Sequence, residues 1–73
     1  MQLKLLSCGQ DRPDRRAIAR TIEEIADGAD YNLANELTDI LIGGSAVEIE
    51  VSFNESSAFR SLRKLDIDYE ILD

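Results

Sequence analysis

Val47-Glu48-Ile49-Glu50-Val51-Ser52-Phe53 alternates apolar and polar residues without a break. Successive side chains of a strand point to opposite faces. This pattern therefore predicts a half-buried strand with Val47, Ile49, Val51 and Phe53 facing in, and Glu48, Glu50 and Ser52 facing out. A strand with one apolar face is covered on one side only, and that restricts what the rest of the chain does.

Two shorter runs of the same period lie at the ends of the chain. In Gln2 to Ser7, Leu3 and Leu5 share one face while Lys4 and Leu6 share the other. In Ile67 to Ile71, Ile67, Tyr69 and Ile71 are expected to face in, with Asp68 and Glu70 facing out. Between these strands the period becomes helical. A first helix follows Gly9 and Gln10-Asp11-Arg12-Pro13, with Asp11 as expected N-cap and Pro13 in the first turn. It runs to about Asp27 on a stripe of Ile18, Ile22 and Ile25, and Gly28 fits its C-cap. A second helix is capped by Asn32 or Asp30, carries Leu33, Leu37, Ile40 and Leu41, and stops at Gly43-Gly44. A third, capped by Asn54, has Phe59, Leu62 and Leu65 as its inner stripe with Ala58 beside them.

The order is β-α-α-β-α-β. Two helices between the first and second strands return the chain to the end it left, so those strands are antiparallel. One helix between the second and third makes a crossover, so those two run parallel. A sheet in which all neighbours are antiparallel then has the order 2-1-3. Each strand has one apolar face, so the three helices share one side. The expected fold is α/β (α+β): a two-layer sandwich with one bare sheet face, formed as a single domain over residues 1–73.

Composition removes several function classes. The chain has 73 residues, one cysteine and no histidine. A Cys/His zinc site, a disulfide framework and a Cys-His or Ser-His nucleophile pair are all excluded. A net charge of −7 argues against direct DNA binding and against an anionic membrane surface. No apolar run reaches the roughly 20 residues of a membrane span, and the N-terminal segment lacks a signal-peptide core, so a cytoplasmic location is expected. Cys8 reads as a partly buried structural thiol. Gly43-Gly44 lacks the surroundings of a phosphate loop. No catalytic residue, metal ligand or cofactor is expected.

The eight basic residues are clustered. Lys4 stands alone. Arg12, Arg15, Arg16 and Arg20 crowd the start of the first helix, and Arg60, Arg63 and Lys64 crowd the end of the third. The 2-1-3 topology brings these groups to one end of the molecule, with Cys8, Gly9 and Gly43-Gly44. Cations near a helix C-terminus complement its dipole and need no function. Arg16 and Arg20 also lie within helical reach of Glu23 and Glu24. Arginines in the first two turns of a helix oppose its dipole, however, and that placement points to an anionic patch on a partner. On the bare sheet face, Glu48, Glu50, Asp68 and Glu70 surround Lys4 and Leu6. They keep an uncovered sheet soluble, or they form an acidic docking face.

The element order resembles that of the C-terminal domain of the bacterial ribosomal stalk protein, and the related fold of the adaptor that delivers substrates to the Clp protease. The local similarity lies in Arg15-Arg16-Ala17-Ile18-Ala19-Arg20, and in Val51-Ser52 leading through Asn54-Glu55 to Ala58, Leu62 and Lys64. The resemblance implies a non-enzymatic adaptor, with Arg15, Arg16 and Arg20 at the positions where the stalk domain contacts translation factors. The expected function is a small protein-protein interaction module. It binds an acidic surface of another protein through Arg12, Arg15, Arg16, Arg20, Arg63 and Lys64. The alternative is an acidic inhibitor or nucleic-acid mimic, of the phage type, acting through Glu48, Glu50, Asp68 and Glu70. The partner and the oligomeric state stay open.

Overall fold

The computed structural model describes residues 1–52 and 55–72. The expected inward side chain of Phe53 and the expected cap at Asn54 lie outside them. The elements are β1 (Gln2–Cys8), α1 (Arg15–Ile25), α2 (Tyr31–Ile42), β2 (Val47–Glu50), α3 (Glu55–Lys64) and β3 (Ile67–Ile71). The sheet has the order β2-β1-β3, and β1 is antiparallel to both neighbours. Leu3 and Leu5 of β1, Val47 and Ile49 of β2, and Ile67 of β3 share one buried cluster with Ile18, Ile22, Ala34, Leu41, Ala58 and Leu62 from the three helices. The alternate positions Glu48, Glu50, Asp68 and Glu70 are exposed. The result is the two-layer sandwich with a bare sheet face.

Several local expectations are corrected. The second strand ends at Glu50 rather than Phe53. Val51 is still buried, and its N–H donates to the Met1 carbonyl at 2.8 Å, so the segment leaves the sheet gradually. β1 reaches Cys8, one residue further than expected, through a bulge. Leu5 pairs with Tyr69, but Ser7 pairs with Asp68, so Leu6 has no counterpart. The extra residue changes the phase of the alternation and returns Cys8 to the core side, opposite Ile67. Ile71 is on the inward register of β3 yet is 50% exposed, because the helix layer does not cover that end of the strand.

The helix caps shift as well. Asp14, not Asp11, caps α1, accepting from the Ala17 N–H at 3.1 Å. α1 ends at Ile25 with Ala26 as its C-cap, and Gly28 (φ 72°) serves the following turn. Asp30 caps α2 through the Leu33 N–H at 2.8 Å. At the other end of α2, Gly44 takes φ 98°. Its N–H bonds the Leu41 carbonyl and the Ser45 N–H bonds the Ile40 carbonyl, a doubly bonded stop that favours glycine at that place.

The largest correction concerns the face of α2. Its buried residues are Ala34, Thr38 and Leu41, with Leu37 packed at the margin of the core. Leu33 and Ile40 are 41% and 45% exposed. Small side chains at Ala34 and Thr38, and at Ala19 on α1, let the helices and the sheet approach closely. The Thr38 hydroxyl donates to the Ala34 carbonyl at 2.7 Å, so its burial leaves no polar group unpaired.

Neighbouring residues of α2 should therefore behave oppositely. Leu41→Ala empties a fully buried site and is expected to cost about 2–5 kcal/mol. Ile40→Gln, one position earlier, is expected to stay within about 0.5 kcal/mol of the parent. Urea titrations of both variants check this; a comparable loss for Ile40→Gln would restore the apolar stripe as the packed face.

Candidate functional site at the start of the first helix

With Asp14 as the cap, Arg15 and Arg16 are the first two residues of α1, Arg20 lies just over one turn later, and Arg12 sits in the preceding loop. Arg15 is committed to structure. Its Nε donates to Asp39 Oδ1 at 2.7 Å, its Nη2 to Asp39 Oδ2 at 3.0 Å, and its Nη1 to Asn35 Oδ1 at 2.9 Å. Asn35 is fixed in turn by donating from Nδ2 to the Tyr31 carbonyl at 2.8 Å. The hydrogen bonds from Arg15 hold the Asp39 carboxyl below its usual range, and those to Asp39 raise the guanidinium. Arg15 opposes the dipole of α1, and Asp39, in the last turn of α2, opposes the dipole of its own helix. The antiparallel packing puts each misplaced charge beside the other.

Arg16 and Arg20 are exposed and have no ion-pair or hydrogen-bond partner among the described residues; the pairs with Glu23 and Glu24 do not form. With Arg15, Glu23, Tyr31 and Asn35 they line a shallow groove of about 410 Å³ between α1 and α2. The Tyr31 ring is 67% exposed at its rim. The groove thus offers two unpaired guanidinium groups, an aromatic face and one carboxylate.

The other basic residues do not line this groove. Arg63 and Lys64 are exposed in the last turn of α3. The Gly9 N–H donates to the Asp66 carbonyl at 2.8 Å, which joins the loop before α1 to the end of α3. Asp66 adopts φ 59° at that junction. Arg60, one helical turn before Arg63 and Lys64 on α3, lines a different depression with Ser52, Glu55, Ser56 and Ser57. Cys8 is half-buried, with Sγ 3.5 Å from the Leu65 carbonyl.

On the bare face, Lys4 stands opposite Glu48 on one side and Glu70 on the other, Gln2 opposite Glu50, and Ser7 opposite Asp68. A cation therefore sits in the middle of the four carboxylates. Among the described residues, no group of three His, Cys, Asp or Glu side chains is placed to hold a metal ion. No described helix is long and apolar enough to cross a membrane.

The sequence reading missed Tyr31 and Asn35, which line the groove, and Asp39, which holds Arg15 beside it. Their signal was a spacing of four and four, which puts three polar-capable side chains along one side of α2. Compared with known proteins, the chain matches no family model, no curated protein and no solved structure.

The Arg15–Asp39 pair carries a pH signature. The Asp39 pKa is lowered in the folded state, so its contribution is complete above the ordinary carboxylate value near 3.9 and is lost as pH falls through the lower folded value. Arg15 stays charged throughout and adds no pH dependence. The stability difference between the parent and Asp39→Asn should be constant above about pH 5 and should shrink below about pH 4. Both side chains are exposed, so salt should shrink it too. Urea midpoints across this range measure it, and a difference that ignores pH would show that the pair has no ionic part.

Proposed function

We propose that this protein is a small, non-enzymatic, cytoplasmic interaction module that binds an acidic surface of another protein through the groove between α1 and α2. The observation that carries this reading is the state of Arg16 and Arg20. They stand unpaired on the first two turns of a helix whose dipole disfavours them, beside an exposed tyrosine. Partner carboxylates would meet the guanidinium groups as charge-assisted, bidentate hydrogen bonds. Arg12, Arg63 and Lys64 extend the basic rim toward the loop before α1. The reading agrees with the stalk-domain resemblance, in which this helix meets partner proteins.

The carboxylate face supports the nucleic-acid mimic less well. A phosphate mimic needs continuous negative charge, whereas Lys4 separates Glu48 from Glu70.

The test uses Arg16→Gln with Arg20→Gln, which removes the unpaired charges and leaves the Arg15–Asp39 clamp intact. Against an acidic protein recovered with the parent chain, association should slow by about tenfold or more at low salt, and the difference should fade as salt rises. The melting temperature should hold or rise slightly, because the dipole conflict is relieved. Unchanged association would sink the assignment.

A further inference from the structure

The two edges of the sheet are not equivalent. At the β2 edge, the Val51 N–H bonds the Met1 carbonyl, which sets the phase so that Glu50 turns its backbone groups outward. The Glu50 carbonyl is then taken by the Asp27 N–H at 2.8 Å, and the Ser52 hydroxyl donates to the Asp27 carboxylate. The turn between α1 and α2 thus covers the end of that edge.

Among the described residues, the β3 edge has no such cover. The Leu72 N–H bonds the Gln2 carbonyl at 3.0 Å and the Gly9 N–H bonds the Asp66 carbonyl at 2.8 Å. These bonds fix the phase at both ends of β3: residues 66, 68, 70 and 72 turn their backbone groups to β1. Ile67, Tyr69 and Ile71 turn theirs outward. The outward groups of Tyr69 and Ile71 meet no partner among the described residues. Beside them lies uncovered apolar surface. Ile71 is 50% exposed, Leu72 is 39% exposed, and the rings of Tyr69 and Phe59 stack with centroids 5.1 Å apart. On the other face of the same strand, Asp68 and Glu70 are exposed.

We propose that the free edge of β3 adds an antiparallel strand: an extended segment of another protein in which apolar residues alternate with lysine or arginine. Strand addition draws its affinity from the backbone bonds and its specificity from alternate side chains. Here the apolar residues would continue the surface of Tyr69 and Ile71, and the basic residues would lie opposite Asp68 and Glu70. The charges select this occupant. A second copy of the chain, paired antiparallel about Tyr69, would set Asp68 against the partner's Glu70 twice, and like charges directly opposite are destabilising. The same carboxylates that repel a copy attract a basic strand. This site is separate from the groove between α1 and α2, so either reading can fail alone.

The probe is an eight-residue peptide alternating valine and lysine, titrated into the full chain with amide exchange followed by NMR. Exchange at Tyr69 and Ile71 should slow by roughly tenfold or more as the peptide saturates. In antiparallel addition the peptide valines bond Tyr69 and Ile71, so N-methylating the valine amides should abolish protection while N-methylating the lysine amides should not. Asp68→Lys with Glu70→Lys should weaken binding by roughly tenfold. Ile71→Pro removes an outward N–H and no ladder bond to β1, and should block addition with the sheet intact. Binding that survives valine methylation, with both amides exchanging freely, would reduce the site to charge attraction on the bare face and overturn the proposal. Dimerisation of the chain through β3 would overturn it equally.

Discussion

Everything in this molecule depends on the single-sided burial of β1. Leu3 and Leu5 have no solvent exposure, while Lys4 and Leu6 between and beside them face the open side. A central strand covered on one face forces both neighbours to be covered on that same face, because a sheet has only two. The helical hairpin α1–α2 and the single helix α3 must then share one layer. The opposite layer is left bare, and its residues must be polar enough to stay in water. Chemistry is confined to what remains: the bare face, the two sheet edges and the clefts of the helix layer. Among the described residues, the helix layer carries one open groove lined by Arg15, Arg16, Tyr31 and Asn35 and another depression lined by Ser52, Glu55 and Arg60.

The basic residues around α1 do different jobs. Arg15 is held by both oxygens of Asp39 and by Asn35, and it joins two helices whose dipoles run in opposite directions. Each member of that pair would be poorly placed on its own helix. Together they form a contact between the start of α1 and the last turn of α2. Arg16 and Arg20 sit against the same dipole with no such compensation. Sequence spacing cannot separate Arg15 from Arg16, because they are adjacent in the first turn of α1 and face its dipole alike. The partner on α2 makes the difference, and that partner comes from an antiparallel packing register.

The fold was legible because it rests on period and order, both written in the sequence. Val47, Ile49 and Val51 set one strand, flanking alternation set two more, and connection geometry then left one arrangement. What was not legible involves choices made between elements. The apolar stripe Leu33–Leu37–Ile40–Leu41 implied a face for α2 that close packing rejected in favour of Ala34 and Thr38. A hydrophobic count favours large residues, whereas close approach favours small ones, and Thr38 hides its hydroxyl locally. The bulge at Leu6 was invisible because one inserted residue leaves the composition of a strand unchanged. Asp11 and Asp14 are both good caps, and only the loop path from Gly9 decides between them. The groove was half legible: its arginines were found, while its Tyr31 and Asn35, and the Asp39 that holds Arg15, belonged to a side of α2 that the apolar stripe did not mark.

Net charge is a poor guide to what such a molecule binds. The sum of −7 describes the field far away, where salt screens it within about 10 Å. At contact distance the distribution matters. The helix layer carries unpaired arginines along one groove, and the sheet layer carries carboxylates around a single lysine. The two layers are opposite faces of a thin sandwich, so these two patches are turned away from each other, while the helix layer also carries Glu23, Glu24, Asp27, Asp30, Glu36 and Glu55. Each face therefore presents its own local charge at contact distance, and steering acts at the patch rather than over the whole layer. A two-layer fold with one bare face readily produces this separation, because the sequence of the exposed strand positions is independent of the sequence along the outer side of α1. Surfaces of unlike local charge that face away from each other are the geometric condition for two unlike partners to bind one small domain without competing.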